Sequence, residues 1–563
     1  MTAAPLRPFD PDTSGLRAPQ ARGAALSRSH VFSRGGLVCS TSPLAASAGL
    51  RVLAQGGNAF DAAIAVAGVE AVTVPLLCGL GGDVFALLYH APSGRLVGIN
   101  GSGGAPLAAT VELYRSRGHQ AMPLEGPLAP SVPGEVHAWE TVLGLFGTWP
   151  LERLLEPAIG YAEEGFGLPP KQSGAFTTCA DTFARYPATA AVFLEEGRPY
   201  QAGEVLVQRD LARTLRRVAQ GGAEAFYRGD LAREMVRALQ EAGGLFTQED
   251  FARHETEVYE PPISTSYHGF TVHQTRPPSQ GFLVLEMLNI LEGYDLASLG
   301  PGSAEAIHLM VEAKKMAFAD RLRYFGDPRQ VAVPLEEVLT KEWAAERRRL
   351  IDPRHAREQV PAGSLGQVAG DTSYFCVADA QGNAVSFIHS LAKVGGSGFV
   401  ARNTGVLLNN RAARGFVLRE GDPNCLAPGK RTMHTLNCYM LFRDGRPWLV
   451  GGTPGGDFQP QGNVQIITDL VDFGMDPQEA VEAPRWLSFP GGDTHTLEEP
   501  PEVVVEPHMP QAVQEGLRAL GHRVSAHAEG ISHGVIQLIQ FDHQRGLKLG
   551  VSDPRGDGHA VAL

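Results

Sequence analysis

Two stretches of the chain carry residue types able to do acyl chemistry. Thr372 follows an irregular segment, Asp352 to Asp371 (DPRHAREQVPAGSLGQVAGD), and opens a strand-like run; farther on, Gly451-Gly452-Thr453-Pro454-Gly455-Gly456 forms a glycine-rich turn after another strand candidate. A hydroxyl side chain is a potential nucleophile once a base activates it. A glycine turn lets a carbonyl approach the main chain without meeting a Cβ. On their own these residues leave a second reading open, because threonine is an ordinary β-branched strand residue and Gly455-Gly456 an ordinary turn. Competing chemistries lack their defining residues: there is no GxxxxGK[ST] phosphate loop, no HExxH zinc helix and no GxSxG elbow. The 18 histidines are scattered, and the six cysteines (Cys39, Cys78, Cys179, Cys376, Cys425, Cys438) form no CxxC pair, so no metal centre and no disulfide framework is expected. The run Arg347-Arg348-Arg349 reads as a solvated helix end, with binding of an acidic partner as the alternative.

The elements that must position these residues are legible in outline. From Pro43 to Ala71 the pattern predicts two alanine-rich helices broken at Gly56-Gly57-Asn58, and Val84 to Tyr89 is apolar enough for a strand buried on both faces. Residues 151 to 260 read as mostly helical, with Thr247 to Asp250 as a capping box. Ile307, Met310, Val311, Phe318, Leu322 and Phe325 recur at helical spacing, and Gly326 with Pro328 end that helix. After the irregular segment, TSYFCVADAQGNAVSFIHS predicts a hairpin around Gly382-Asn383. Further strands are expected at Gly405 to Asn409, Asn437 to Phe442, Trp448 to Gly451, Val535 to Phe541 and Leu547 to Val551, with a helix near Val464 to Phe473.

At 563 residues the chain has ample length for a large core, and its 66 glycines and 40 prolines predict many tight turns and backbone-lined sites. A formal charge of -13 argues against a nucleic-acid partner. No signal peptide or membrane-spanning segment is readable, which with the unpaired cysteines points to a cytoplasmic protein without a membrane partner. Residues 1–35 read as an N-terminal tail or loose wrap, 36–371 as a helix-rich segment ending in a flexible linker over 352–371, and 372–563 as a sheet-rich segment.

From about Gly36 to its end, the chain resembles the γ-glutamyltranspeptidase family of N-terminal-nucleophile hydrolases. The resemblance rests on PLAASAGLRVLAQGGNAFDAAIAVA, CGLGGD, LLEPAIGYAEEGF, PPSQGFLVLEMLNILEGYD, EAKKMAFADR, GDTSYFCVADAQGNAVS, GVLLNN, LVGGTPGG and EAVEAPRW. It implies an α+β fold, a four-layer αββα sandwich built jointly by a large and a small fragment. It also implies self-cleavage of the Asp371-Thr372 bond, which makes Thr372 the first residue of the small fragment. The freed α-amine, with an ordinary pKa of about 7.7 to 8.0, then takes the proton of the threonine hydroxyl. The resemblance places the oxyanion donors at the N–H groups of Gly455 and Gly456, and a second hydroxyl beside the nucleophile at Ser390.

Departures from the family pattern bear on the substrate. The arginine that grips the α-carboxylate of a γ-glutamyl group is Ser102 here, an asparagine for its α-amino group is Ala392, the aspartate partner is Arg414, and a serine pair is His434-Thr435. Arginine in place of aspartate repels an α-ammonium group and suits a carboxylate; its alternative role is a surface salt bridge. KRTMHTLN and GTPGGDFQPQ resemble the signal-less branch that includes oxamate amidohydrolases and acylases. The implied function is a self-processing amidohydrolase of small amides whose acyl side bears a carboxylate, without cofactor or metal. Its fragments are expected to stay associated, with a homodimer of heterodimers as one compatible assembly. The alternatives are a γ-glutamyltransferase or glutathione hydrolase, a non-catalytic unprocessed binding protein, and a cofactor-binding α/β protein that uses CGLGGD or GGTPGG as a phosphate loop.

Overall fold

Among the described residues, strands of three to eight residues build two large sheets, in which every neighbouring pair is antiparallel. The computed structural model describes residues 27–357, 372–492, 501–528 and 533–563. The first sheet runs, in order, His559–Ala562, Leu37–Ser40, Ser373–Ala378, Ala384–Ser390, Asp83–His90, Arg95–Gly101 and Glu257–Tyr259. The second runs Val31–Ser33, Leu547–Ser552, Gln537–Asp542, Arg446–Gly452, Tyr439–Arg443, Phe270–Gln274 and Ile263–Tyr267. Strands from before and after position 372 are therefore mixed within both sheets, and neither sheet can be completed by one segment alone.

Period-two alternation divides each central strand between two cores. Tyr374 and Cys376 join Leu37, Phe85, Ile388, Met440, Val450 and Ile539 in a cluster drawn from both sheets. Phe375 and Val377 instead pack with the helices Pro43–Ala54 and Ala59–Thr73. The second of these helices is buried at every position, so it needs no polar stripe. Its start is held by a capping box in which Asn58 and Asp61 satisfy each other's end of the helix. The helices Gly281–Leu291, Ala304–Tyr324 and Phe458–Val471 supply the core against the second sheet.

Several expectations hold closely: the hairpin pairs Ser373 with His389 through Ala378 with Ala384, the long helix spans Ala304–Tyr324, and Thr247 with Asp250 forms the capping box. Others are corrected. Val31–Ser33, inside the expected tail, adds as an edge strand beside Gly550, Leu549 and Lys548, a segment too short for periodicity to reveal. The helix expected from Val464 begins at Phe458, because buried Gln459, Gln461 and Asn463 disguise its first turns as polar. Gly405 to Asn409 forms no regular strand; Leu407 bridges to Val400, and the amides of Leu408 and Asn409 bond Phe399 and Gly81 in other loops. The arginine run is not simply solvated, since Arg347 pairs with Asp320 and lies over Trp343, while Arg348 donates to the carbonyls of Asn289 and Ile290.

Candidate active site

The hairpin register decides what surrounds Thr372. Ser373 lies opposite His389, so the preceding Thr372 and the following Ser390 fall on the next rung, with side chains on the other face of the sheet. The Thr372 hydroxyl is buried and donates to Ser390 Oγ at 3.3 Å, and Gln459 Nε2 donates to Thr372 Oγ1 at 3.3 Å. Both contacts are long, against ~2.7–2.8 Å for a hydroxyl pair and ~2.9–3.0 Å for an N–H donor. Gln459 is itself fixed, because its Oε1 accepts from Asn437 N at 3.0 Å and Nδ2 at 3.3 Å, while Asn463 Nδ2 donates to Asn437 Oδ1 at 2.8 Å. Asp371, the residue before the nucleophile candidate, lies outside the described residues.

The glycine turn connects the Arg446–Gly452 strand to the Phe458–Val471 helix. Gly455 has φ of +124° and Gly456 +58°, a backbone region that β-carbons disfavour. The turn leads straight into the helix: Phe458 N donates to Gly455 O at 2.9 Å and Gln459 N to Gly456 O at 3.2 Å. Gln459 thus touches the Thr372 hydroxyl with its side chain and the glycine turn with its backbone. A helix N-terminus and a turned backbone are favourable surroundings for a developing oxyanion.

The remaining sequence-nominated residues lie in linked but distinct contacts. Gln280 Nε2 bridges the carbonyls of Thr435, at 2.7 Å, and Gly456, at 3.2 Å. The Thr435 hydroxyl accepts from Arg411 Nη1 at 3.4 Å, and Arg411 Nε meets Asp83 Oδ2 at 3.2 Å. Burial pushes the Asp83 carboxyl up to about 6, against the pull of Arg411. Ser102 is wholly buried, and both its hydroxyl and its amide donate to Asn100 Oδ1, at 2.5 and 2.9 Å. His434 is buried against Phe85; burial first, then Arg411 and Arg431, hold its pKa well below the usual imidazole range, so the ring is neutral. Arg414, far from lying on the surface, is 5% exposed, and its Nη1 donates to Ala392 O at 2.8 Å. Ala392 holds φ of +83°, a conformation costly for a residue with a Cβ, and its amide donates to Ser390 Oγ at 2.8 Å. The strained turn therefore ties Arg414 to the hydroxyl that faces Thr372.

Comparison with known proteins resolves what kind of chain carries this geometry. The family model described as gamma-glutamyltranspeptidase matches residues 45–563. The chain belongs to the γ-glutamyltranspeptidase family. It is therefore an enzyme of a family whose members act on amide bonds. It is 40% identical over 529 residues to the glutathione hydrolase-like YwrD proenzyme of Bacillus subtilis, covering 94% of this chain and 98% of that protein. It is 35% identical to the oxamate amidohydrolase proenzyme of Klebsiella pneumoniae, covering 93% and 98%. The crystal structure of cephalosporin acylase from Bacillus halodurans superposes with a TM-score of 0.88 at 36% identity, covering 98% of this chain and 99% of that one.

Gln459, Asn437, Arg411 and Asp83 escaped the sequence reading, since no local spacing marks a polar residue whose partner lies elsewhere in the chain. Gln459→Ala is expected to lower kcat about tenfold, the loss of one hydrogen bond worth about 1–1.5 kcal/mol, with KM little changed; steady-state kinetics check it. Among the described residues, two groups of side chains bring metal-ligating atoms together, Glu70 with Cys78 and His389, and His308 with Glu312 and His522. Both are already bonded internally: His389 Nε2 meets Glu70 at 2.7 Å, His308 Nδ1 meets His522 Nε2 at 2.8 Å, and Glu312 pairs with Lys315 at 2.6 Å. Among the described residues, no helix is long and apolar enough to cross a membrane.

Proposed function

We propose that the chain is a self-processing N-terminal threonine amidohydrolase of small amides whose acyl group carries a carboxylate. The observation that carries this reading is the double contact of Gln459, which joins the hydroxyl of Thr372 to the glycine turn at Gly456. In maturation, Thr372 Oγ attacks the Asp371 carbonyl carbon, the peptide C–N bond breaks as nitrogen takes the hydroxyl proton, and water hydrolyses the resulting ester. In turnover, the freed α-amine takes the Oγ proton, Oγ bonds to the substrate carbonyl, and the oxyanion is held by Gly455 and Gly456 N–H. The amine product leaves with that proton, and water releases the acid.

The two sheets, with helix-bearing cores on their outer sides, support the four-layer αββα sandwich of N-terminal-nucleophile hydrolases. No disulfide joins any of the six cysteines, which supports residence in a reducing compartment. The test of maturation is N-terminal sequencing of purified protein: a fragment beginning TSYFC supports the reading, and an intact active chain overturns it.

The carboxylate preference rests on Arg414 and its setting. Arg414 and Arg321 both help to hold the carboxyl of Asp457 below its ordinary value, against the upward push of burial. Both guanidinium groups thus lie within electrostatic reach of the carboxylate that follows the glycine turn. Arg414→Gln should cut kcat/KM for glutaryl-p-nitroanilide about 10- to 100-fold, as expected for loss of a charged hydrogen bond worth ~1.5–3 kcal/mol, and leave the uncharged butyryl analogue within threefold. Equal losses on both substrates would remove Arg414 from acyl recognition.

A further inference from the structure

We infer that Glu70 and His389 form a buried clamp on the back of the nucleophile strand, acting through the Ser373 hydroxyl to set the position of Thr372. The inference rests on Thr372 as nucleophile and adds residues that touch neither substrate nor reacting atoms. Ser373 and His389 lie opposite one another in the ladder and point to the face away from Thr372 and Ser390. Ser373 Oγ donates to Glu70 Oε2 at 2.6 Å, and His389 Nε2 meets the same oxygen at 2.7 Å. Glu70 Oε1 accepts from Ser40 at 2.6 Å and Thr41 at 3.1 Å, so both oxygens of this fully buried carboxylate are occupied. The second His389 nitrogen meets Glu135 Oε1 at 2.8 Å, and Trp139 Nε1 donates to that same oxygen at 3.0 Å.

A ring with both nitrogens against carboxyl oxygens donates from both, and so carries a positive charge. Burial would raise the Glu70 carboxyl, but the His389 hydrogen bond and charge, with Ser373 and Ser40, bring it below its usual value. Burial dominates at Glu135 and raises it, and burial pushes the Cys78 thiol up to about 12. Four hydrogen bonds on a carboxylate go well beyond what fold stability requires of a residue at an apolar helix position, where a packed aliphatic side chain does as well. Their common effect is to immobilise the two residues adjoining the catalytic hydroxyls, Ser373 after Thr372 and His389 before Ser390.

The test compares the full chain with Ser373→Ala, Glu70→Gln and the double variant. Maturation is followed as loss of the intact band on a gel, and kinetics are measured on glutaryl-p-nitroanilide. Ser373→Ala should fold with its melting temperature nearly unchanged, mature at least tenfold more slowly, and lose at least tenfold in kcat with KM within twofold. Glu70→Gln should lose more, and the double variant no more than Glu70→Gln, because the hydroxyl acts through the carboxylate. Maturation and kcat of Ser373→Ala within twofold of the natural chain overturn the clamp, as do losses that multiply in the double variant or a KM that rises in step with the fall in kcat. If Glu70→Gln does not fold, Ser373→Ala decides. A natural chain that is active but yields no TSYFC fragment overturns the nucleophile assignment and the clamp together, whereas a maturing natural chain with unaffected variants overturns the clamp alone.

Discussion

Thr372→Ala should yield a single unprocessed chain with amide turnover reduced about 10⁴- to 10⁶-fold, the scale seen when a covalent nucleophile is removed. The expectation follows from one atom serving two reactions. The hydroxyl that would attack the Asp371 carbonyl is the one that would later attack substrate, and without cleavage no α-amine exists to activate it. The surroundings of residue 372 should survive, because Tyr374, Phe375, Cys376 and Val377 are all fully buried and fix the strand without its first side chain. A gel and an amide assay check both halves. Two bands from the variant, divided between residues 371 and 372, would remove Thr372 from its role.

Gly455→Ala should fold and mature slowly, with kcat about 10²- to 10³-fold below the natural enzyme, the cost of one misplaced oxyanion donor, ~2.7–4 kcal/mol. At φ of +124° an L-residue is strained, and a Cβ there would lie 3.2 Å from both Cβ and Cδ1 of Phe458. Phe458 opens the helix and stacks on His533, so it has little room to yield. The backbone of the turn must shift instead, and the N–H groups lose their aim. KM should change far less than kcat, because the donors work chiefly on the charged intermediate. A kcat within threefold of the natural value would place the oxyanion elsewhere.

Much of the fold was legible because local pattern and tertiary environment agree. The hairpin around Gly382-Asn383 alternates cleanly since its two faces bury into different cores, and the Ala304–Tyr324 helix carries its apolar residues at helical spacing and ends just before Gly326. The pattern failed where buried positions are polar. Gln459, Gln461 and Asn463 look like a loop and are the buried first turns of a helix. Glu70, which interrupts the apolar run Ala62 to Val69, was the one local sign of the buried cluster behind the Ser373–Ala378 strand, yet its partners Ser373, His389 and Ser40 lie in other elements.

The sequence alone therefore determined the strand that follows Thr372, the glycine-rich turn at Gly455-Gly456, and the family resemblance that joins them. The resemblance already set Ser390 beside Thr372; only the tertiary structure brought in Gln459, 87 positions away, which reaches the same hydroxyl. For Arg414 the sequence left a surface salt bridge open beside carboxylate binding, and the fold buries it. The reason is physical. Helix and strand periods report which face of an element is buried, whereas the partner of a buried polar atom is set by sheet register and helix docking, which sum over the whole chain.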